Sequence, residues 1–562
     1  MPVIARPYLS PTLVLLAFDF PEGAQERSFL GFAIKREPGF RGAPFSYLPN
    51  RIGFNGPNPD GSSEGSDKWP IQKFYWWDAQ IDSRDRGKQF TYTVSVVNGR
   101  PDSLNIGNAG DLYSKVLITV PSEIENGIGT YFNRAVVSSQ AFVTEFGHNP
   151  SGEKLHEAFT WLGNGMELVV GNFLARAQAD KCDIEGAIYH LSQTEEGEFI
   201  IPAMASFKRG QSLVYHANDS TDSNAIRQLA PGGAKFVPRT KTHIMHDKFL
   251  VAVKDGEAKR VVMGSANYTT EGLTQQANLM HTWEFPKLAE LYLKRKKLIQ
   301  NDPTIGVTSK SAGWSSPMPC GDATVRAFFP PEPKVKKGKK GASIETVIDA
   351  VKRAKSSVVF CLFSPTDLEL LEACFAVSDQ QKMMYGLINT VPEIPPRPNK
   401  KGVTDPVKVA IYDRNRSPKQ LEVGGHDFYG KGHTPMGFSW EDSALGGGGP
   451  YPVYIHHKFV VIDGETRSPT IYSGSANMSA NSVFYNDENL LEITGCPRLG
   501  QAYLAEFMRL FEHYRARLAF KLKKNDQSQP YKLTPDNSWS ADWYAKGSKA
   551  NSRIAMAKAL KI

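Results

Sequence analysis

The sequence predicts an α/β protein in which two repeated halves follow an all-β region. Two observations predict this fold class. First, the pattern H-x-K followed by G-S-A-N occurs twice with the same internal spacing. Second, each copy lies among apolar segments of strand length and precedes a segment of helical periodicity. A chain of 562 residues is also too long for one hydrophobic core, so several domains are expected.

Residues 1–122 are predicted to form a β-sandwich. Phe90–Val96 alternates between large and small side chains, which is the period of a half-buried strand, and the aromatic-rich segment Lys73–Trp77 is a second candidate strand. The region resembles fibronectin type III and immunoglobulin-like domains. Such modules commonly act as scaffolds, so no catalytic role is predicted for this one.

The repeat is carried by two motif copies that lie 210 residues apart, from position 246 to position 456. In both copies, 18 residues separate the histidine from the glycine of G-S-A-N, at positions 246 and 264 and at positions 456 and 474. One such motif is weak evidence, but two copies in matching surroundings are hard to attribute to chance. The candidate residues are His246, Lys248, Ser265 and Asn267 in the first copy, and His456, Lys458, Ser475 and Asn477 in the second.

Four further segments complete the predicted organisation. Residues 123–302 form the first half and 342–523 the second, each with strand, helix, strand, motif hairpin and closing helix. Residues 303–341 are predicted as a linker that contains the lysine-rich run 334–341, and 524–562 as a C-terminal tail. The glycine-rich segment 424–450 is predicted to be a surface loop rather than a lid over the site.

The motif residues have the chemistry of a phosphate site. Alternate side chains of a strand share a face, so the histidine and lysine of each copy point the same way. Lysine supplies positive charge, and serine and asparagine can donate hydrogen bonds to phosphate oxygens without adding negative charge. Imidazole can act as a nucleophile or as a proton donor near neutral pH.

At these residues the chain resembles the phospholipase D superfamily, whose signature is two copies of H-x-K-x4-D and G-S-x-N. The second copy is complete, with Asp463, which the resemblance marks as structural support; the first has Val253 at that position. The resemblance implies two α/β sandwich halves and one active site between them. It also implies a phosphohistidine intermediate formed without a metal or other cofactor.

The family also places an acidic residue after each G-S-x-N, where it orients the histidine of the opposite half. Glu488 fills this position after the second copy, whereas the first copy has Gln276–Asn278 there, with Ala277 at the matching position and no carboxylate. If Glu488 orients His246, then His246 is the nucleophile and His456 the general acid. The resemblance therefore makes Glu488 catalytic together with both histidines, both lysines, Asn267 and Asn477, with Ser265 and Ser475 binding the substrate.

The rest of the sequence leaves several functions open. The net charge of +8 suits an anionic substrate without naming it. No signal peptide or membrane-spanning segment is recognised, so a cytoplasmic or peripheral protein is expected. The first choice is a phospholipase D-type phosphodiesterase that acts on phospholipid at a membrane surface, with possible transphosphatidylation. The alternatives are a metal-independent nuclease and a non-catalytic protein that binds a phosphate ligand. The oligomeric state stays open.

Overall fold

The computed structural model describes residues 2–58, 62–135, 140–147, 149–217, 223–336, 339–389, 422–424, 455–522, 532–548 and 550–558. The predicted surface loop after Gly424 lies outside these residues. The described chain contains no helix that is both long enough and apolar enough to cross a membrane.

The N-terminal region is all-β, as the sequence predicts. Strands β1, β2 and β7 form one sheet, β10, β8, β3 and β4 form a second in which β9 pairs with β8, and β5 pairs with β6. Apolar side chains of β2, β3 and β8 pack together in one core. The strands are β1 (Ile4–Ser10), β2 (Leu13–Asp19), β3 (Phe29–Glu37), β4 (Ser46–Tyr47), β5 (Pro49–Asn50), β6 (Glu64–Gly65), β7 (Tyr75–Asp78), β8 (Gln89–Arg100), β9 (Ser103–Ile106) and β10 (Tyr113–Thr119). The predicted strand Phe90–Val96 lies within β8, and the predicted strand Lys73–Trp77 overlaps β7, which begins at Tyr75.

The next part of the chain forms an eight-stranded sheet with helices. Its strands are β11 (Ile124–Glu125), β12 (Ile128–Phe132), β13 (Asp183–Ile188), β15 (Gln211–His216), β16 (Lys235–Arg239), β17 (Lys248–Lys254), β18 (Glu257–Gly264) and β20 (Leu279–Trp283), and β14 (Leu191–Ser192) pairs separately with β19 (Tyr268–Thr269). The helices are α1 (Gln140–Phe146), α2 (Glu153–Gly163), α3 (Val169–Ala179), α4 (Ile200–Ser206), α5 (Ser223–Leu229), α6 (Thr270–Thr274), α7 (Pro286–Ile299) and α8 (Ile305–Thr308).

A second eight-stranded sheet follows. Its strands are β21 (Met318–Cys320), β22 (Ala323–Phe328), β23 (Ser357–Leu362), β24 (Met383–Ile388), β25 (Glu422–Gly424), β26 (Lys458–Ile462), β27 (Thr470–Gly474) and β28 (Leu490–Thr494). Its helices are α9 (Ala342–Lys352), α10 (Leu368–Asp379), α11 (Ala480–Phe484) and α12 (Pro497–Leu522), and the C-terminal segment adds α13 (Ala541–Tyr544) and α14 (Ile554–Lys558).

Both sheets have the same strand order. The first runs β11-β12-β20-β18-β17-β13-β15-β16 and the second β21-β22-β28-β27-β26-β23-β24-β25. In each sheet, the motif lies on an antiparallel hairpin, β17–β18 or β26–β27. The strand beside the hairpin, β13 or β23, pairs in parallel with the strand on its other side. Apolar residues of both sheets share one core, which also includes side chains of α7 and α12.

The prediction of a linker over 303–341 is wrong in part. Strands β21 and β22 lie in this range, and β22 pairs with β28 from Thr324 to Phe328. The segment therefore supplies the edge of the second sheet. The prolines and lysines near 330–340 are typical of a linker. Backbone pairing with a strand about 170 residues later cannot be predicted from local composition.

The C-terminal segment packs against the N-terminal β region. Arg553 forms an ion pair with Asp19 at 3.2 Å and lies 3.8 Å from the ring centroid of Phe74. The Tyr8 hydroxyl donates a hydrogen bond of 2.7 Å to the carbonyl oxygen of Met556. The described part of the predicted C-terminal tail is thus packed onto the N-terminal β region.

A charge cluster around the buried carboxylate of Glu512 joins α12 to the N-terminal region. The Glu512 carboxylate pairs with Lys73 at 2.6 Å and with Arg515 at 2.8 Å, and it accepts a hydrogen bond from the Tyr75 hydroxyl. These cations hold the pKa of Glu512 well below its usual value in spite of burial.

Replacing Glu512 by alanine should lower the free energy of unfolding by about 1.5–3 kcal/mol, because it removes a buried carboxylate that accepts charge-assisted hydrogen bonds from Lys73 and Arg515. Glu64→Ala is the matched control, since Glu64 pairs with Lys68 at the surface and should change stability by less than about 1 kcal/mol. Urea denaturation of both variants measures the difference, and equal losses would contradict the role of burial.

Candidate active site

The two motif copies meet at the junction of the sheets. Just before β17, the His246 amide donates to the carbonyl oxygen of Asp487 at 2.8 Å; just before β26, the His456 amide donates to that of Ala277 at 3.0 Å. Each motif strand is thus attached by its backbone to the segment that follows G-S-A-N in the other half. This exchange brings His246, His456 and both lysines to one place.

Lys248 and Lys458 are fully buried behind the histidines. Each ammonium group donates to the carbonyl oxygen of the histidine two residues earlier, at 2.6 Å in both copies. An aromatic ring lies beside each one, with Tyr189 at 4.8 Å and Phe363 at 5.4 Å from the respective Nζ. The ammonium groups keep further hydrogen-bond donors available, because each can donate three.

Each histidine has a hydrogen-bond partner from the opposite half. His246 Nδ1 lies 2.8 Å from a carboxylate oxygen of Glu488. His456 Nδ1 lies 2.9 Å from the side-chain oxygen of Asn278. Since both partners accept through oxygen, Nδ1 carries a proton in each ring, and Nε2 is the nitrogen left for a substrate.

Asn278, and not Ala277, therefore holds the position that matches Glu488. Asn278 follows Asn267 by 11 residues, and Glu488 follows Asn477 by 11, so counting from G-S-A-N identifies the pair. The Asn278 amide nitrogen donates to the carbonyl oxygen of Gly272 at 2.8 Å, which turns the amide oxygen toward His456. A carboxylate was expected at this position, but the Asn278 amide oxygen accepts the same kind of hydrogen bond.

The two motif serines differ from their predicted role. Ser265 donates to Asn278 at 2.8 Å, and Ser475 donates to Glu488 at 2.6 Å. Both are fully buried. Their hydroxyl protons are thus engaged with the side chains that orient the histidines, and they are not placed to bind a substrate as predicted.

The remaining predicted residues separate into two kinds. The side-chain oxygens of Asn267 and Asn477 are buried and have no hydrogen-bond partner in the described parts of the chain. Asp463 instead accepts from the backbone amides of Lys355, Ser356 and Ser357 at 2.8–3.1 Å, which fits the structural role that the resemblance implied.

A buried ionic network lies behind the first motif. Asp487 accepts from Arg239 and from Arg295, both at 2.8 Å, and Arg295 also lies 3.3 Å from Asp247. Asn489 donates to Asp247 at 2.8 Å. These residues tie the first motif to the segment that carries Glu488. The sequence analysis did not identify them, because the arginines lie outside the motifs.

Burial dominates the electrostatics of the site. It lowers the pKa of His246 and of His456 well below the usual value, and Lys248 and Lys458 lower both further. Each histidine therefore responds to the lysine of the other half as well as to its own. Burial also lowers the pKa of Lys248 to about 7 and that of Lys458 well below its usual value, and raises that of Glu488.

A bound anion would reverse these effects. Burial and mutual repulsion disfavour the protonated forms of the two lysines and the two imidazoles. A phosphate oxygen nearby would favour these charged forms and raise the four pKa values. The site is thus suited to a negatively charged ligand. Among the described residues, no group of three or more His, Cys, Asp or Glu side chains has the arrangement of a metal site.

Residues 437–512 match the family model described as the PLD-like domain of cardiolipin synthase. This segment contains the complete second motif, so the similarity to the PLD-like domain covers the second motif and its surroundings. No curated protein sequence matches the chain.

Several solved structures are similar at low identity. Polyphosphate kinase from Porphyromonas gingivalis is 9% identical over 58% of this chain, with a TM-score of 0.34, and the chain spans 42% of that protein. Phosphatidylserine synthase from Haemophilus influenzae Rd KW20 is 11% identical over 64% of this chain and 90% of its own, with a TM-score of 0.40. Nuc from Salmonella typhimurium, a phospholipase D family member, is 18% identical over 37% and 99%, with a TM-score of 0.21.

Sulfate should bind more weakly as the pH rises through 7. Because the lowered pKa of Lys248 is about 7, its proton is lost above that pH, and with it one positive charge of the anion site. If binding requires the protonated lysine, the apparent Kd should rise about 30-fold from pH 6 to pH 8.5. Isothermal titration calorimetry measures this change, which should shrink in Lys248→Met. A Kd independent of pH would contradict the assignment.

Proposed function

We propose that the protein is a phosphodiesterase in which His246 attacks phosphorus and His456 protonates the leaving group. The observation that carries the proposal is the asymmetry of the two orienting hydrogen bonds. His246 faces a carboxylate, Glu488, whereas His456 faces a neutral amide, Asn278. The two imidazoles are therefore prepared for different protonation states.

In the first step the Nε2 lone pair of neutral His246 forms a bond to phosphorus while the bond to the leaving oxygen breaks. A phosphorylated imidazole that keeps its Nδ1 proton is cationic, and the Glu488 carboxylate stabilises that charge at 2.8 Å. His456, protonated on both nitrogens once the anion is bound, gives its Nε2 proton to the departing oxygen. The Asn278 amide accepts from either form of the ring.

In the second step, neutral His456 removes a proton from water as the water oxygen attacks phosphorus. The bond to His246 breaks, and His246 and the protonated His456 return to their starting states. An alcohol in place of water would give transfer instead of hydrolysis. Lys248 and Lys458, with the amides of Asn267 and Asn477, are proposed to hold the non-bridging oxygens throughout.

The larger organisation fits this chemistry. We propose two repeated phospholipase D-type halves, over about 123–302 and 303–523, with the motif pair at their interface. The preceding region, 1–122, is proposed as an immunoglobulin-like or fibronectin-like scaffold without catalytic residues.

The substrate class remains a choice between a phospholipid and a nucleic acid. The phospholipid is the first choice from the sequence. The third possibility, a non-catalytic binding protein, is disfavoured by the hydrogen bonds that orient both histidines. The exposed side chains near Glu488 and His246 include the basic Lys241 and the aromatic Tyr485, which favours the nucleic acid.

His246→Ala and His456→Ala should each reduce hydrolysis of bis(p-nitrophenyl) phosphate by at least about 10³-fold, since neither ring can take the other's role. The assay is run in EDTA, because the proposed steps use no metal. His156→Ala is the matched control, as His156 is an exposed histidine of α2 and should leave the rate unchanged. Substantial activity in either motif variant would contradict a shared site.

The covalent intermediate should form on His246. In the His456→Ala variant, p-nitrophenolate can leave without a proton but water lacks its general base, so the phosphoenzyme should accumulate. Acid-labile phosphate is then expected on the peptide that contains His246, as detected by mass spectrometry after rapid quenching. Phosphate on His456 in the wild-type protein would reverse the two roles.

A further inference from the structure

An exposed basic and aromatic surface lies beside the candidate reaction centre and is not explained by the chemistry above. We call it the Tyr485 surface. It consists of Tyr485, Lys334, Lys336, Lys241 and His243, all with exposed side chains.

The backbone fixes Tyr485 close to both orienting and nucleophilic groups. Its carbonyl oxygen accepts hydrogen bonds from the His243 amide and the Thr242 hydroxyl, both at 3.1 Å. Tyr485 precedes Glu488 by three residues, and His243 precedes His246 by three. Tyr485 as a residue is 37% exposed.

The lysines are also held in place. Lys334 Nζ lies 5.4 Å from the centroid of the Tyr485 ring. The segment before it is attached to the second motif region, because the Glu332 amide donates to the carbonyl oxygen of Val483 at 2.7 Å. The Glu332 carboxylate accepts from the backbone amides of Ala342 and Ser343 at the start of α9. This end of the lysine-rich run is therefore anchored beside the site.

The charge of this surface is positive. In segments 239–246, 330–336 and 480–489 the only carboxylates are Glu332, Asp487 and Glu488, all buried. Asp302 lies outside these segments, and its carboxylate pairs with Arg239 and accepts a hydrogen bond from the Thr240 hydroxyl. The exposed lysines thus have no carboxylate within their own segments, and the surface suits a partner that carries several negative charges.

We propose that the Tyr485 surface binds single-stranded nucleic acid next to the scissile phosphodiester. An unpaired base stacks on the Tyr485 ring, while Lys334 and Lys336 contact neighbouring phosphates. Stacking on an exposed aromatic ring combined with lysine contacts to the backbone is the usual mode of single-strand binding, and paired bases cannot stack in this way. Binding to a lipid surface would require several exposed apolar side chains. In segment 330–336, Val335 is the large apolar residue that is exposed, which is too little for such binding.

The inference rests on the proposed phosphodiesterase, but binding can be measured without turnover. Fluorescence anisotropy of a labelled dT12 oligonucleotide is measured with the His246→Ala protein. Adding Tyr485→Ala should weaken binding by about 5- to 150-fold, the usual effect of removing one stacking ring. Adding Tyr485→Phe should keep it within about threefold, because phenylalanine also stacks.

The electrostatic part has its own measurement. Removing both Lys334 and Lys336 should reduce the slope of log K against log salt concentration by about 1.4, since each phosphate contact on a single strand contributes about 0.7. Phe45 and Lys35 provide matched controls: Lys35 Nζ lies 5.5 Å from the Phe45 ring, which is 49% exposed in the N-terminal region. Phe45→Ala and Lys35→Ala should change neither affinity nor slope.

Two results would overturn the inference. One is equal weakening by Tyr485→Ala and Phe45→Ala. The other is Tyr485-dependent binding of anionic phosphatidylglycerol vesicles with no affinity for dT12, which would assign the surface to a membrane. Hydrolysis of bis(p-nitrophenyl) phosphate without dT12 binding would remove this inference and leave the phosphodiesterase standing. Tyr485-dependent dT12 binding without hydrolysis would do the reverse.

Discussion

The hydrogen bonds that hold the two motif histidines cross from one half of the α/β unit to the other. His246 depends on Glu488 from the second half, and His456 depends on Asn278 from the first. Backbone bonds repeat the exchange, because each histidine amide donates to a carbonyl of the opposite half. Neither half alone can therefore orient its own histidine, and the geometry of the site is set by how the two sheets pack together.

This dependence explains why so much polar structure is buried near the junction. Asp487 lies beside Glu488 in sequence and is held by two buried arginines, while Ser475 donates to Glu488 itself. A single-residue shift of that segment would move the carboxylate away from the imidazole. Buried ionic groups usually do little for net stability, and here they connect the segment that carries Glu488 to Arg239 and Arg295. The same burial lowers the pKa of both histidines and both lysines, which prepares the site for an anion.

The regions outside the sheets support the same junction. Helix α12 follows the second motif strands and carries Glu512, which is paired with Lys73 of the N-terminal region. The C-terminal segment in turn packs on that region through Arg553. The N-terminal β region is therefore fastened to the closing helix of the second half and to the C-terminal segment. The exposed side chain of Tyr485 lies outside these supporting contacts, beside the site.

The sequence by itself determined the repeat, the α/β pattern of the motif hairpins and the identity of both histidine–lysine pairs. These features have fixed spacings along the chain, and strand periodicity puts His246 with Lys248 without any tertiary information. It also predicted that Glu488 orients the imidazole of His246. Only the tertiary structure shows that Asn278 is the hydrogen-bond partner of His456 and that β21 and β22 belong to the second sheet. It also shows that Ser265 and Ser475 donate hydrogen bonds to Asn278 and Glu488. Each of these depends on contacts between segments far apart in sequence, where hydrogen-bond geometry rather than residue type selects the partner, so an amide can stand where a carboxylate was expected.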